Sequence, residues 1–492
     1  MIRNLCLRLK NGIEVRQTLS NLRQELKDCT QRETFIDWIE DGSIDLTTFL
    51  LNDDAKTRKN AALLIGLIAY PAYKDALIKA YKEEQTLFVR PSYLSALKNY
   101  DVSEDLPYLK ERQKELWSMK MADNEKKHLE EELHNLSDLI ADSEQMLAHI
   151  FHENEQTTFH CILRTNPLYP EITAQQIESE QTKTSKLGVQ VATNTLEKLF
   201  SIRTFGELLL QIPGMNASIP DIDTIAKTIV SSALLPILSK NHKGDFPFYF
   251  RLGIKNTMSL SERSRFTKKL SSAIEHASKR KLQNSTSHYE LEIRLIEGKS
   301  GNYHFLVKLY TIPDHRFDYR KEYIPTSIKP VNAALLVQLA KEYMIADAQI
   351  LDPFCGVGTM LIERQKVIKG NTSYGIDHSD VAIEKAKINT ELAGQIIHFV
   401  NKNCFEFTHE YAFDEIFTEM PYTTGQKTEK EIYEIYEQFF PMARRLLLPE
   451  GTIIMYTRNR EYVRSLCKKQ HFTILKEEKI TQKPESYLII LQ

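Results

Sequence analysis

The sequence predicts a multidomain α/β protein: an all-helical segment, then a mixed α+β segment, then a doubly wound, mostly parallel sheet. Three observations predict it. Residues 1–150 carry apolar residues three and four apart, with few glycines. Residues 151–320 switch between strand-like alternation and helical spacing. Residues 321–492 alternate short apolar strands with amphipathic helices, and the first strand ends in a glycine turn, Ile350-Leu351-Asp352-Pro353-Phe354-Cys355-Gly356-Val357-Gly358-Thr359-Met360-Leu361-Ile362-Glu363.

At 492 residues the chain is long enough for two or three separate cores. With 42% apolar and 26% charged residues it has an ordinary globular composition. The net charge of −2 carries no global nucleic-acid signature, so RNA or DNA would have to meet a local basic patch. The six cysteines contain no C-x-x-C pair, which argues against a zinc site or a disulfide framework and for a reducing compartment. No apolar run approaches the roughly 20 residues of a membrane span, and the first residues lack a signal-peptide core. The expectation is a cytoplasmic protein with neither metal nor membrane partner.

In the helical segment, Asn52-Asp53-Asp54 is placed to cap a helix running through Arg58, Ala61, Ala62, Leu64 and Ile65. Arg90-Pro91-Ser92-Tyr93-Leu94 opens a second such unit, its arginine 32 positions after Arg58. That period weakly resembles HEAT-type repeats, and a plain bundle fits as well. The charged stretch 120–143 reads as a solvated or linker helix.

In the mixed segment, strands are expected at 158–164, 246–254, 289–296 and 302–309, the last two joined by a turn at 297–301. Helices are expected from Ala174 onward, at 196–210, 224–238 and 261–281. The clearest basic stretch of the chain lies here: Arg251, Lys255, Arg263, Arg265, Lys268, Lys269, Lys279, Arg280 and Lys281, opposed only by Glu262 and Glu275. Such charges can meet a phosphate backbone, or form a solvated helix face.

In the last segment, a helix at 330–344 precedes the glycine turn, and strands follow at 373–376, 396–400, 413–418, 452–456, 472–475 and 487–491. Helices fill 380–392, 429–448 and 461–469. The final two strands are too close for a crossover helix, so the last is expected to be antiparallel. The glycine turn sits where open α/β sheets bind ligands, yet it has neither a Walker lysine nor a third glycine at Leu361. With Asp352 at its head it suits a ligand bearing cationic or hydroxyl groups. Asp377, 25 residues on, ends the second strand, where a carboxylate accepts both hydroxyls of a ribose or caps the next helix. The fourth strand ends in Thr418-Glu419-Met420-Pro421-Tyr422-Thr423-Thr424-Gly425. Tyr422 offers a flat face for a base. Glu419 and the Met420 carbonyl can accept hydrogen bonds from an exocyclic amine and orient its lone pair.

These stretches resemble class I S-adenosylmethionine-dependent methyltransferases with a seven-stranded Rossmann-like sheet. More narrowly they resemble RNA guanine-N2 methyltransferases that carry a THUMP domain. The resemblance rests on the turn Asp352–Thr359 with Glu363, and on Tyr319-Arg320 before Pro325-Thr326-Ser327-Ile328-Lys329-Pro330. It implies that S-adenosylmethionine lies on Asp352, Pro353, Phe354, Cys355, Gly356, Gly358 and Thr359, with its ribose at Asp377, its adenine near Asn403, and Glu419 beside it. It implies a catalytic tetrapeptide at Glu419, Met420, Pro421 and Tyr422. The family has Asp or Asn at the first of these positions, proline at the second, and commonly Asp where Asn403 stands. The expected function is methyl transfer to N2 of a guanine in RNA, tRNA before ribosomal RNA. Arg263, Arg265, Lys268, Lys269, Lys279, Arg280 and Lys281 of a THUMP-like middle domain (151–320) would grip the RNA. The helical N-terminus would extend that grip or recruit a protein. Two alternatives stay open: a catalytically impaired RNA- or protein-binding scaffold, and a methyltransferase acting on adenine N6 or protein glutamine.

Overall fold

The computed structural model describes residues 2–28, 31–119, 125–143, 149–178, 180–423 and 428–492. The chain forms two compact units. One holds Met1–Ile150, Lys243–Gly253 and Ser259–Glu292; the other holds Phe151–His242, Ile254–Met258 and Ile293–Gln492. Both units therefore draw on the middle of the chain, unlike the three consecutive spans expected from sequence.

Among the described residues the first unit opens with eight α-helices, from Ile2–Lys10 to Lys126–Ser143, packed on one core that includes Cys6, Leu19, Phe35, Ile65, Tyr93, Leu109 and Leu136. The helix Ala55–Ile68 starts where expected, its N-cap Asp54 accepting the Lys56 and Thr57 N–H groups. Gly66 lets it approach Arg90–Leu97: a Cβ on Gly66 would sit 2.5 Å from the Ala96 Cα. The paired arginines have parallel roles. Arg58 grips Glu84 through two 2.8 Å hydrogen bonds. Arg90 donates to the Glu84 carbonyl and, at 3.1 Å, to Glu132. The stretch read as a solvated helix is instead a packed one over Lys126–Ser143; residues 120–124 lie outside the described residues. Leu129, Leu133, Leu136, Leu139 and Ile140 form its buried stripe, and Glu132 is fully buried between Tyr81, Arg90 and Arg112. The charge run hid leucines spaced three and four apart. The same unit contains the helix Leu260–Ala277, capped by a Ser259–Glu262 capping box, and a parallel pairing of Phe248–Lys255 with Leu282–Asn284.

In the second unit, antiparallel strands run in the order 182–185, 188–193, 159–165, 205–210, 303–309. The helices expected after Ala174 and over 196–210 are corrected here. Among the described residues only Pro170–Ala174 is α-helical before the strands Thr182–Ser185 and Gly188–Thr193, and a 3-10 turn precedes the strand Phe205–Leu210. Thr182, Thr184, Val189, Val191 and Thr193 are β-branched, and Gly188 takes φ +129° with its backbone against the Leu163 carbonyl. The apolar stretch Ile222–Lys240 has membrane-span length and composition, but it breaks into helices Ile222–Ser231 and Leu234–Lys240 and buries Ile225, Ile229, Leu234 and Leu238.

The same unit holds a seven-stranded sheet. Its elements are α1 (Pro330–Ala340), β1 (Gln349–Asp352), α2 (Thr359–Val367), β2 (Thr372–Asp377), α3 (Asp380–Leu392), β3 (His398–Asn401), β4 (Phe413–Glu419), α4 (Glu429–Leu446), β5 (Leu447–Thr457), α5 (Arg460–Lys469), β6 (Ile474–Gln482) and β7 (Glu485–Leu491). The strand order is β3-β2-β1-β4-β5-β7-β6, parallel except for antiparallel β7. Adjacent residues bury into opposite faces: Leu351, Ile416 and Ile453 join one core, Ile350, Phe417 and Ile454 the other. Both faces are thus covered, which explains the continuous apolar runs of the central strands. The strand order reverses between β1 and β4, and the carboxyl ends of β1, β2 and β4 converge there.

Candidate active site

The glycine turn leaves β1 at that convergence. Gly356 and Gly358 take φ +51° and +80°, conformations that favour glycine. An added Cβ on Gly356 would meet nothing within 4 Å, so the turn's backbone stays open to a ligand. The turn is strapped to β2: Cys355 N–H donates to the Ile376 carbonyl (2.9 Å) and Gly356 N–H to Asp377 Oδ2 (3.0 Å). Asp377 Oδ1 accepts the Ser379 N–H (2.9 Å), and Ser379 itself caps α3. Asp377 therefore fixes the turn and leaves the capping to its neighbour.

Asp352 lies fully buried. Its Oδ1 accepts from Thr418 Oγ1 (2.6 Å) and the Phe354 N–H (3.1 Å), while Oδ2 has no hydrogen-bond partner among the described residues. Burial, and then the nearby Asp377 charge, push this carboxyl up to about 7. Glu419 is pushed up to about 8 by burial and by Asp352, against the opposing pull of Arg458 and the Ile328 N–H.

A cavity of about 540 Å³ covers this ground. Of the expected cofactor residues it is lined by Pro353, Phe354, Cys355, Gly356, Thr359, Asp377, Asn403 and Glu419, together with Met420, Pro421 and Tyr422. Asp352 and Gly358 support the lining without being part of it. Asn403 is exposed, and its side-chain oxygen caps a short 3-10 turn through the Phe405 N–H (3.2 Å). A second cavity, of about 550 Å³, shares Thr326, Ser327, Ile328, Glu419 and Tyr422 with the first. Its other walls come from Arg164–Pro167, Gly206–Glu207, Pro325, Lys329, Val331, Asn332, Tyr456 and Arg458.

The loop after β4 is held differently from a double-proline loop. The Met420 N–H donates to the Tyr456 carbonyl at 2.8 Å, a bond no proline can make, and the Met420 side chain is fully buried. The Pro421 carbonyl accepts from Tyr436. The Arg458 guanidinium lies 3.6 Å above the Tyr422 ring, leaving the opposite face for a base. Thr424 and Gly425 lie outside the described residues.

Sequence reasoning missed Thr418, Arg458 and Arg203. Arg203 makes two 2.7 Å hydrogen bonds to the buried Glu363, which also accepts from Tyr319 (2.6 Å), and Arg320 reaches Thr359 (3.0 Å). Only Tyr319, Arg320 and Glu363 had a motif to betray them. The seven expected RNA contacts all belong to the helical unit. Arg265, Lys268, Lys269 and Lys279 are exposed, and Arg263 is half-buried. Arg280 pairs with Glu275 (3.2 Å) and stacks over Trp117, and burial lowers its pKa. Lys281 sits 4.9 Å over Phe246.

Residues 318–484 match the family model "RMKL-like, methyltransferase domain". Over those residues the chain is similar to that family. A curated relative, the tRNA (guanine(10)-N2)-dimethyltransferase of Pyrococcus abyssi, is 32% identical over 129 residues. That match covers 25% of this chain and 37% of the relative's length. Among solved structures, TrmN from Thermus thermophilus aligns with TM-score 0.50 and 16% identity, covering 68% of this chain and 99% of its own. SMU.472 complexed with SAH aligns with TM-score 0.53 and 12% identity over 68% and 98%. A predicted N6-adenine-specific DNA methylase from Listeria monocytogenes aligns with TM-score 0.51 and 15% identity over 68% and 96%. These likenesses give the methyltransferase domain its class I fold.

The first cavity suits a cationic, hydroxyl-bearing cofactor on three counts. An open glycine backbone lies beside a strand-end carboxylate, Asp377. Two buried acids favour a bound cation. The Asp352 Oδ2 acceptor has no partner of its own among the described residues.

Proposed function

We propose that the protein is an RNA methyltransferase that modifies the exocyclic N2 of a guanine, with tRNA as its substrate, in the cytoplasm. One observation carries this reading: Glu419 and Tyr422 form a wall common to both cavities, so one face meets the cofactor and the other a base. S-adenosylmethionine supplies an electrophilic methyl group on a cationic sulfur. Asp352, Pro353, Phe354, Cys355, Gly356, Gly358 and Thr359 would hold its amino-acid part, Asp377 its ribose diol, and Asn403 with Phe405 its adenine edge.

Tyr422 stacks the flipped base on the face away from Arg458. The Glu419 carboxylate and the Met420 carbonyl accept the two amine hydrogens and aim the nitrogen lone pair. Glu419 must be ionised to accept both well, so its burial sets a pH threshold near its raised pKa. The proton released by the amine after transfer passes to Glu419, which opens on the second cavity. The P. abyssi relative supports guanine N2 in tRNA by its name.

A second reading is a scaffold that has lost turnover. Its support is that Glu419, one methylene longer than Asp, is mostly protonated at neutral pH when no ligand neighbours it. The deciding experiment is transfer of a labelled methyl group to separate RNA, DNA and protein pools. Label in guanine N2 of RNA upholds the main reading. Label only in adenine N6 or in protein overturns it. No label anywhere, with cofactor bound, leaves the scaffold.

A further inference from the structure

The second cavity has two dissimilar walls. One comes from the methyltransferase sheet: Glu419 at the end of β4, with Tyr456 beside it in register, then Tyr422 and Arg458. The other comes from the antiparallel sheet, where Arg164 and Glu207 are cross-strand neighbours. Asn166 locks the two together by donating to the Ile480 carbonyl (2.9 Å). Between them runs Pro325–Lys329 into the first turn of α1, where Lys329, Val331 and Asn332 line the space and no side chain caps the helix.

The far wall gathers three cations on Glu207. Glu207 receives two hydrogen bonds from Arg294 (2.9 and 3.0 Å), one from Lys308 (3.3 Å) and one from Arg164 (3.1 Å). Arg294 and then the other cations hold its carboxyl down to about 2. Three cations thus share one carboxylate. Arg164, 56% exposed, touches Glu207 with a single Nη, and Lys329 is exposed. Arg458, by contrast, is stacked on Tyr422 and belongs with the base end. The cavity is base-binding on one wall and anion-seeking on the other, within the roughly 300–1,000 Å³ of small-ligand sites.

We infer that this cavity seats one nucleotide of an RNA strand, with Arg164 and Lys329 holding the phosphate that flanks the base presented to Glu419 and Tyr422. The inference rests on the RNA-modifying reading above. It places a phosphate contact on residues outside the basic helix Leu260–Ala277, against the sequence expectation. The test is binding of unfractionated tRNA across a potassium chloride series, for the wild type and an Arg164→Ala/Lys329→Ala double variant. Glu207 keeps Arg294 and Lys308 in that variant, so the wall stays neutralised.

Each lost phosphate contact removes about 0.7–0.9 from the slope of log affinity against log salt. The double variant should therefore lose about 0.8 of slope and bind tRNA roughly tenfold more weakly near physiological salt. Its S-adenosylmethionine affinity, read by calorimetry, should be unchanged, and Arg164→Lys should restore most of the slope. An unchanged slope in a double variant that still binds cofactor overturns the inference. So does a loss of slope confined to Lys268→Ala/Lys269→Ala. In both cases RNA methylation by the wild type would leave the proposed function standing. A wild type that binds no tRNA and methylates only protein or DNA overturns both.

Discussion

The two cavities meet at Glu419 and Tyr422 but are assembled in opposite ways. The first takes most of its lining from the ends of β1, β2 and β4 and the loops that leave them, completed by the stretches 324–328 and 402–405 and by Ile435, so most contributing stretches are short and continuous. The second is built from residues near 165, 206, 328, 420 and 457, brought together by two sheets. A turn that must expose backbone to a ligand restricts its own sequence to glycines and a strand-end acid. A cavity formed between layers needs only side chains that reach it, and leaves no local pattern.

Variants that separate the two cavities test this contrast. The largest effect is expected from Asp352→Ala with Asp377→Ala. Hydrogen bonds to charged groups contribute about 1.5–3 kcal/mol each, so cofactor affinity should fall at least roughly a hundredfold, measured by calorimetry. tRNA binding should persist. Loss of both together would mean that the cavities are not separable.

The shared wall comes next. Glu419→Ala should cut methyl transfer about a hundredfold through lost orientation of the amine, with cofactor affinity less affected. Glu419→Asp, which restores the length found in the resembling family, should raise transfer in a working enzyme and leave a scaffold silent.

The pH dependence sharpens the role of the buried acids. Transfer by the wild type should rise as pH climbs through about 8, where Glu419 ionises, and single-turnover rates will read it. Stability should move the other way. The folded Asp352 carboxyl is raised from 3.8 to about 7, so the folded protein keeps a proton that the unfolded chain has already released. That contribution is fully present below about pH 4 and is lost as pH rises through about 7. The thermal midpoint of ligand-free protein should therefore fall between pH 5 and pH 9, and Asp352→Asn should flatten the fall. The smallest effect is expected from Met420→Pro. It removes the N–H that holds Tyr456, at a cost of about 1 kcal/mol read as a lower denaturation midpoint.

The same contrast runs through the fold. The alternation of β1 to β7 with α1 to α5 was legible element by element, because both sheet faces are covered and the period changes at each glycine or charged loop; β6, expected at 472–475, instead runs Ile474–Gln482. Even the antiparallel last strand followed from chain length alone. The regions misread were those where local pattern competes with packing. The strands 182–193 and 205–210 have short, ambiguous apolar runs that only cross-strand partners resolve. The helix Lys126–Ser143 showed a run of charges on its surface and concealed a leucine stripe facing the core.

By itself, then, the sequence determined the helical start, the seven-stranded sheet, the glycine turn with Asp352 and Asp377, and the Glu419–Tyr422 loop. Each of these is a constraint on backbone conformation or period that neighbouring residues must satisfy. Only the tertiary structure decided that Arg280 is tied up against Glu275 and Trp117, that Arg203 reaches Glu363, that Arg458 lies on Tyr422, and that Arg164 and Lys329 share a cavity with Glu419. Those are meetings of side chains from distant parts of the chain. Their energies come from burial and charge pairing after the backbone has folded, and no local spacing records them.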